Sequence, residues 1–341
     1  MSQRFPSEHE AVCYCSDSAS GLNAIIAVHS TKFGPALGGT RVFPYASEDD
    51  ALSDVVNLSR AMSYKAAAAD LPYGGGKAVI VADPESPQKR ELLKAFCRYV
   101  NMFGGVFQTG EDVGIALADV QYMREFTAWA HYTPVDLPDW LETSALTARG
   151  VLRGIEASLQ YRFGSPGIQG RTVAIQGLGK VGMNLARFLA EKGARLVVCD
   201  VRPGVVDEAV QSLKCRSVGP SAILDVEADV FSPCAMGNVL TPQTAGRLRA
   251  PIVAGCANNQ LSDDRVAEML RQRNVLYAPD YVINSGGLIS ALFEMKLEDE
   301  TKMVARVDAI GERLLRIYSQ ADGEGISTQE AITRIVRAKL Q

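Results

Sequence analysis

Two lysines and one aspartate have the residue types of a proton-transfer site, and two of the three lie in glycine-rich segments. Lys77 follows three glycines at positions 74–76, and Lys65 precedes it by 12 residues. Asp112 lies in the glycine-flanked segment 109–114. A lysine on a glycine-lined turn can be desolvated, and burial or a neighbouring cation lowers its pKa towards neutrality. One ammonium could then bind a substrate carboxylate while the other lysine and Asp112 exchange protons. From the spacing alone, three solvated surface charges remain the alternative interpretation.

A second glycine-rich segment has the complete pattern of a dinucleotide-binding turn. It consists of Gly177, Leu178, Gly179, Lys180, Val181 and Gly182. The pattern lies between a predicted strand at residues 171–176 and a predicted helix at residues 183–192. The glycines would permit a tight turn and close approach of a pyrophosphate to the helix N-terminus. Asp200, which ends the next predicted strand, would accept hydrogen bonds from a ribose and favour NAD over NADP, and Arg202 could weaken that preference. A glycine turn without ligand, and a site for FAD or a substrate nucleotide, remain alternatives.

The elements that must position these groups differ between the two halves of the chain. In the first half, residues 23–29 and 78–82 have the composition of buried strands, and residues 47–62 have the apolar period of a helix with Ser47 as its N-cap. In the second half, strands alternate with helices, which predicts a parallel, doubly wound sheet. The predicted fold class is therefore α/β with two domains, the second of them of the Rossmann type.

The connection between the domains is predicted at residues 133–144, which are rich in proline, aspartate and threonine. The chain of 341 residues is long enough for about two domains of roughly 150 residues each. We expect a first domain over residues 1–135, a second over 136–325, and a C-terminal helix over 326–341 that could pack back on the first.

Composition excludes several classes of function. The net charge of −4 is unfavourable for binding nucleic acid. Neither a transmembrane run of about 18 apolar residues nor a secretory leader is recognisable, which predicts a cytoplasmic protein. The seven cysteines are scattered and only three histidines occur, so we expect reduced thiols and no metal site.

Residues 71–84, which read Leu-Pro-Tyr-Gly-Gly-Gly-Lys-Ala-Val-Ile-Val-Ala-Asp-Pro, resemble the active-site signature of the glutamate/leucine/phenylalanine/valine dehydrogenase family. The resemblance extends over nearly the whole chain and is strongest to the leucine/phenylalanine branch. It is carried by further segments at residues 34–41, 62–65, 111–114, 177–182, 233–235, 259–260 and 278–287.

This resemblance implies NAD-dependent, reversible oxidative deamination of an L-amino acid to its 2-oxo acid and ammonia. It implies that the N-terminal domain binds the amino acid, that the C-terminal domain binds NAD, and that a cleft separates them. It also implies a homo-oligomer, a dimer or larger, formed through the N-terminal domain.

The resemblance also implies roles for individual residues. Lys65 would bind the substrate carboxylate, helped by Asn259 and by the backbone near Gly38 and Gly39. Lys77 would activate water for attack on the imine carbon, and Asp112 would carry protons to and from the substrate nitrogen. On the cofactor side, Thr147 would contact the nicotinamide amide, and Asn259 would lie beside the cofactor as well as the substrate.

The pocket for the substrate side chain would include Leu37, Gly110, Leu288 and Ala291. None is charged, which disfavours glutamate as the substrate. Leucine-type members tend to carry alanine and valine at the positions of Gly110 and Leu288, whereas phenylalanine-type members carry glycine and leucine. The pair present here favours an aromatic substrate, phenylalanine or tryptophan, and a branched-chain substrate such as leucine or valine is the alternative.

One segment departs from the family pattern. Residues 141–146 read Leu-Glu-Thr-Ser-Ala-Leu where relatives have a loop resembling Gly-Asn-Pro-Ser-Pro just before the nicotinamide-contacting threonine. Two further hypotheses therefore stay open: a catalytically silent protein that senses NAD or an amino acid, and a different NAD-dependent oxidoreductase acting on an amine or a hydroxy acid.

Overall fold

The computed structural model describes residues 8–131, 138–235, 237–294 and 299–341. The chain forms two compact units, residues 1–135 with 336–341, and residues 136–335. Much of the predicted connection at residues 133–144 lies outside the described residues.

The first unit is built on a mixed sheet. Its strands are β1 (Ala11–Asp17), β2 (Leu22–Ser30), β3 (Ala36–Leu37), β4 (Thr40–Phe43), β5 (Gly74–Val81) and β6 (Phe107–Gln108). The sheet order is β1-β2-β5-β3-β6, and β4 also pairs with β5. Strands β1, β2 and β5 are antiparallel neighbours, while β3 and β4 run parallel to β5.

Helices cover both faces of this sheet. They are α1 (Glu48–Ala68), α2 (Lys89–Met102) and α3 (Leu117–Met123). Successive side chains of a strand point to opposite faces. In β2, Ile26 packs into the core that contains Phe96 of α2, and Ala27 packs into the core that contains Val55 of α1. Burial on both faces explains why residues 24–28 of this strand are continuously apolar rather than alternating.

Helix α1 begins where the sequence predicts. The side chain of Ser47 accepts a hydrogen bond from the backbone N–H of Asp50, which confirms the N-cap. The helix continues six residues past the predicted end at residue 62, as far as Ala68. It stops before Asp70, whose φ of 55° is left-handed. The extra turns bring Lys65 into the helix.

The glycine run before Lys77 is not a turn, and that prediction is wrong. Residues 74–76 belong to strand β5, in the centre of the sheet. A Cβ on Gly75 would lie 2.0 Å from the backbone nitrogen of Ser63, and one on Gly74 would lie 1.7 Å from the carbonyl oxygen of Ser30. The glycines are needed because neighbouring backbone approaches the strand this closely, not because the chain bends.

The second unit is a parallel sheet between helices, which confirms the predicted α/β fold class with a Rossmann-type domain. Its strands are β7 (Thr172–Gln176), β8 (Arg195–Cys199), β9 (Arg216–Ser217), β10 (Val230–Pro233), β11 (Ile252–Val253) and β12 (Leu276–Tyr277). Their order is β12-β11-β10-β7-β8-β9, and every neighbouring pair is parallel. The strand order reverses between β7 and β10, and ligands bind at such a switch point in open α/β sheets.

The helices of this part of the chain connect and flank the strands. They are α4 (Thr143–Phe163), α5 (Lys180–Glu191), α6 (Pro203–Leu213), α7 (Pro242–Arg247), α8 (Asp264–Gln272), α9 (Asp280–Ile283), α10 (Gly286–Glu294), α11 (Glu300–Asp308), α12 (Ile310–Glu324) and α13 (Thr328–Leu340). Helix α13 crosses the division between the units, since residues 336–341 group with the first. There, the Lys339 ammonium lies 2.5 Å from the carboxylate of Asp70.

The segment at 141–146 is not a loop, which corrects the sequence interpretation. Asp139–Leu141 forms a single 3-10 turn, and α4 begins at Thr143. Without the glycine and prolines of the family pattern, nothing stops the helix from starting one turn before Thr147.

Candidate active site

The first unit holds an ion pair between a buried lysine and a half-buried aspartate. The ammonium of Lys77, on β5, lies 3.1 Å from Oδ1 of Asp112. The Lys77 residue is 5% exposed. Asp112 reaches it because the segment before α3 runs beside β4: Thr40 donates its N–H to the carbonyl of Gly110, and Val42 donates to that of Val113. Two residues proposed from their types and spacing are thus brought into direct contact.

Three further polar side chains extend this pair, and sequence reasoning assigned none of them a role. Nε of Arg41 donates to Oδ2 of Asp112 at 2.7 Å, and its Nη1 donates to Oδ2 of Asp54 at 2.9 Å. The hydroxyl of Tyr45 donates to the same Asp54 oxygen at 2.5 Å. The row of groups is therefore lysine, aspartate, arginine, aspartate and tyrosine.

Burial and charge act in opposite directions on the central pair. Burial lowers the pKa of Lys77 from its ordinary value, the Asp112 carboxylate opposes that change, and Arg41 adds to it. Burial alone would raise the pKa of Asp112, but the charges and hydrogen bonds of Lys77 and Arg41 outweigh it, so that pKa is lowered. A carboxylate that stays ionised therefore sits beside a lysine that releases its proton more readily than usual.

The glycines expected near the substrate carboxylate pack directly around this pair. A Cβ on Gly38 would lie 1.8 Å from the carbonyl oxygen of Gly76. One on Gly39 would lie 3.0 Å from Cβ of Asp112. These contacts leave the backbone of residues 38 and 39 beside both catalytic candidates.

The other candidates of the first unit lie on the neighbouring elements. Leu37 lies on β3, paired with residue 75 of β5, and is 7% exposed. A Cβ on Gly110 would lie 2.7 Å from the carbonyl oxygen of His131, so backbone packing by itself explains why this residue is a glycine. Lys65 lies half-buried in the last turn of α1, two residues after Ser63, whose backbone touches β5 at Gly75.

The glycine motif of the second unit lies at the switch point of its sheet. Gly177 has a φ of 99°, and a Cβ there would lie 2.7 Å from the backbone nitrogen of Ala235, which follows β10. A Cβ on Gly182 would lie 2.1 Å from the carbonyl oxygen of Gly177. At Gly179, by contrast, nothing lies within 4 Å of a Cβ. The fold requires the first and third glycines, while the second leaves open space at the start of α5, where Lys180 and Val181 begin the helix.

Asp200 closes the motif from the neighbouring strand. Its Oδ2 accepts a hydrogen bond from the N–H of Leu178 at 2.8 Å, and its Oδ1 accepts from Nε of Arg202 at 3.0 Å. The hydrogen bonds of Arg202 hold the pKa of this carboxyl well below its usual range, against the effect of burial. The structure therefore places a carboxylate and a largely exposed guanidinium together beside the open glycine. Glycines, helix N-terminus and carboxylate fit a dinucleotide cofactor.

The candidates for the nicotinamide and side-chain contacts lie elsewhere in the second unit. Thr147, on α4, donates its hydroxyl to the carbonyl of Thr143 at 2.7 Å, and a Cβ on Gly287 would lie 2.9 Å from that hydroxyl. Leu288 follows directly and is half-buried. Ala291 lies on α10, and the structure does not describe its side chain.

Asn259 lies on an exposed, left-handed bend. Its φ is 50°, and its carbonyl accepts the N–H of Asn238 at 2.6 Å. A side-chain hydrogen bond attaches the bend to the rest of the unit: Nδ2 of Asn284 donates to Oδ1 of Asn258 at 2.9 Å. The bend presents the Asn259 amide at the surface of the second unit.

Comparison with known proteins relates both units to one family. The model described as "Glu/Leu/Phe/Val dehydrogenase, dimerisation domain" matches residues 9–132, and that described as "Glutamate/Leucine/Phenylalanine/Valine dehydrogenase" matches residues 141–211 and 205–334. The chain is 42% identical to a phenylalanine dehydrogenase of Lysinibacillus sphaericus, over 96% of this chain and 87% of that one. It is 38% identical to a leucine dehydrogenase of Geobacillus stearothermophilus, over 98% and 91%.

Among solved structures, the chain is similar to L-tryptophan dehydrogenase from Nostoc punctiforme. The TM-score is 0.88 at 40% identity, covering 98% of this chain and 96% of that chain. None of the helices in the described part of the chain is long and apolar enough to cross a membrane.

Proposed function

The chain belongs to the Glu/Leu/Phe/Val dehydrogenase family, as an amino acid dehydrogenase of the type that acts on phenylalanine, leucine, valine or tryptophan, and we propose that it deaminates an aromatic L-amino acid with NAD. The products would be the 2-oxo acid, ammonia and NADH, and the reaction would be reversible. The observation that carries the proposal is the contact between the buried Lys77 and the half-buried Asp112, whose charged atoms lie 3.1 Å apart.

The two side chains divide the proton transfers of such a reaction. A hydride leaves the α-carbon when the amine is neutral, so a carboxylate base must first take a proton from the substrate ammonium. Asp112, held ionised, suits that step. Water must then add to the imine carbon, and the neutral amine of Lys77 is suited to remove a proton from that water. Lys65 would hold the substrate carboxylate, helped by Asn259 and the backbone at residues 38 and 39. A bound nicotinamide, beside Thr147, would accept the hydride.

NAD is the proposed cofactor because of the groups beside the open glycine. The carboxylate of Asp200 would accept hydrogen bonds from a ribose and repel a 2′-phosphate. Arg202 holds that carboxylate and is itself exposed, so some use of NADP is compatible with this site.

The substrate proposal is supported by the uncharged character of its candidate pocket residues. Leu37 and Leu288 offer apolar surface, Ala291 is small, and Gly110 adds no side chain. Since Gly110 is also required by packing against the carbonyl of His131, the preference for an aromatic ring rests mainly on Leu288. Relatives named for phenylalanine and tryptophan support it, and those named for leucine and valine support the branched-chain alternative.

The test is the formation of NADH, followed at 340 nm, with NAD and each of the twenty L-amino acids at alkaline pH. We expect the highest kcat/KM with phenylalanine or tryptophan. Lys77→Met should lose about 100-fold or more of kcat while still binding NAD, since general acid–base groups contribute on the order of 10²–10⁴.

Other outcomes would correct the proposal in stated ways. A clear preference for leucine or valine would keep the mechanism and overturn the aromatic substrate. Equal turnover of a primary amine would point to an amine oxidoreductase. NAD binding without turnover of any amino acid would overturn the proposed activity and favour a catalytically silent sensor of NAD or an amino acid.

We also propose that the protein assembles as a homo-oligomer through its first unit, because that unit matches the dimerisation-domain model. Light scattering after size-exclusion chromatography should give a mass of twice 36.7 kDa or a larger multiple. A monomer mass at micromolar concentration would contradict the assembly and leave the chemistry untouched.

A further inference from the structure

We propose that Arg41 is a positioning residue of the active site, whose fixed guanidinium keeps Asp112 ionised and in place while Lys77 loses and regains its proton. The inference rests on the proposed function, because it concerns the proposed proton transfers of Asp112 and Lys77. It assigns no substrate contact to Arg41. It concerns the charge that remains next to Asp112 when Lys77 is neutral.

The contacts give Arg41 a single orientation. Its Nε donates to Asp112 at 2.7 Å, while Nη1 donates to Asp54 at 2.9 Å, so one planar group bridges two carboxylates. Tyr45 donates to the Asp54 oxygen that accepts from Arg41, which fixes the far carboxylate. These contacts join β4, and Tyr45 two residues after it, to α1 and to the turn at Asp112. The arginine side chain is 22% exposed and that of Asp112 is 21% exposed.

The chemistry of the pair explains why such a group is needed. Lys77 is buried, Asp112 is half-buried and the two are in contact, so each stabilises the charge of the other. When Lys77 gives up its proton, Asp112 loses that partner and burial favours its protonated form. Arginine does not lose its proton in this pH range. Burial lowers the pKa of Arg41, but Asp112 and Asp54 outweigh burial and raise that pKa overall. Its charge is therefore the one that persists through the cycle.

The same charge acts on the lysine in the useful direction. Arg41 repels the ammonium of Lys77 and lowers its pKa, while Asp112 and Asp54 oppose this. Arg41, Asp112 and Asp54 are the charged groups whose effects on the pKa of Lys77 are largest. One guanidinium thus favours the deprotonated form of both groups that must accept protons, and removal of Arg41 would raise both pKa values.

The test compares the pH dependence of kcat/KM for Arg41→Gln, Arg41→Lys and the wild-type protein. In Arg41→Gln we expect kcat to fall by about 100-fold and the rising, acidic limb to move to higher pH. Arg41→Lys keeps the charge but cannot bridge both carboxylates, so its kcat should fall while the limb stays near its wild-type position. Arg60→Gln removes an exposed arginine of the same unit, 3.8 Å from Glu8, and should leave both quantities unchanged.

Two readouts separate this inference from a structural role and from the proposed function. If Arg41 served only for folding, Arg41→Gln would lower kcat/KM equally at every pH, and that result would overturn the inference. Titration of Asp112 by ¹³Cγ-aspartate NMR, with its signal assigned by Asp112→Asn, requires no turnover. A pKa of Asp112 that does not rise in Arg41→Gln would also overturn the inference, even if the protein oxidised no amino acid.

Should Arg41→Gln fail to fold, Asp54→Asn releases the guanidinium without removing it. Loss of the Asp54 carboxylate breaks the bridge and should lower kcat. The acidic limb of the pH profile should not move to higher pH, because Asp54 raises the pKa of Lys77 and its removal lowers that pKa. An unchanged kcat in Asp54→Asn would show that the bridge does not position Asp112.

Discussion

Lys77 is a buried ammonium that, in the proposed reaction, must be stable and still release its proton. An unpaired charge in a sheet interior is very costly, and a carboxylate partner removes most of that cost. The same partner, however, raises the pKa of the lysine and so keeps it protonated, when only the neutral amine can accept a proton. The structure resolves this by adding a cation on the far side of the carboxylate, since Arg41 contacts Asp112 rather than Lys77.

The three glycines of the dinucleotide motif have different partners, and this predicts different variants. Gly182→Ala would place a methyl 2.1 Å from the carbonyl oxygen of Gly177, and we expect a loss of about 1–3 kcal/mol in the free energy of unfolding. Gly179→Ala meets no protein atom and has a φ of −68°, so stability should stay within about 0.5 kcal/mol of wild type. A bound pyrophosphate would meet that methyl, and we expect the Kd for NAD to rise about tenfold or more.

Thermal unfolding and calorimetric titration with NAD measure the two effects separately. Gly204→Ala, at a second open glycine, is the matched control for both. Unchanged NAD affinity in Gly179→Ala would remove this glycine from the cofactor site.

Residue types and spacing were sufficient to propose Lys77 and Asp112, but not the groups around them. Arg41 and Asp112 are 71 residues apart, and no local pattern announces a pairing that depends on the register of β4 beside β5. Gly110 shows the reverse. Its identity, with that of Leu288, favoured an aromatic substrate, but the three-dimensional structure shows that a Cβ there would also clash with the His131 carbonyl.

At the scale of elements, the start of a helix was easier to predict than its end. Ser47 caps α1 through local hydrogen bonds, which the sequence records directly. The far end depends on tertiary packing, since residues 66–69 are alanines buried in the unit. The strand at residues 74–76 was missed for the same reason, because glycine there reflects contacts with α1 and β2 rather than turn geometry.

The cap of α1 predicts a stability effect at a distance from the active site. Ser47→Ala removes the side-chain acceptor of the Asp50 N–H and should cost about 1 kcal/mol of unfolding free energy. Ser47→Asp keeps an acceptor at the helix N-terminus and should retain most of that stability, although repulsion from residues 48–50 works against it. Urea unfolding of both variants measures the difference. An unchanged free energy of unfolding in Ser47→Ala would show that the cap contributes nothing.

At the scale of the whole molecule, the two units differ in the groups that titrate near neutral pH. The three histidines of the chain, His9, His29 and His131, all belong to the first unit. Burial lowers the pKa of His29 and of His131 to about 4, and lowers that of His9. These imidazoles are therefore neutral in the folded first unit at pH values where an unfolded chain would protonate them.

This difference predicts that acid unfolds the first unit before the second. A histidine with a depressed folded pKa contributes stability above its unfolded pKa of about 6.5, and that stability is lost as the pH falls towards 4. Each such histidine would cost up to about 1.4 kcal/mol per pH unit in that window.

Hydrogen exchange measured by mass spectrometry between pH 7.5 and 5, corrected for intrinsic rates, should show protection falling earlier in residues 8–131 than in residues 138–235. The variant His29→Gln keeps a partner for Ser63, which lies 2.8 Å from the His29 ring nitrogen, and should flatten the pH dependence of the first unit. Parallel loss of protection in both units, or an unchanged slope in His29→Gln, would show that groups other than the buried histidines control acid stability.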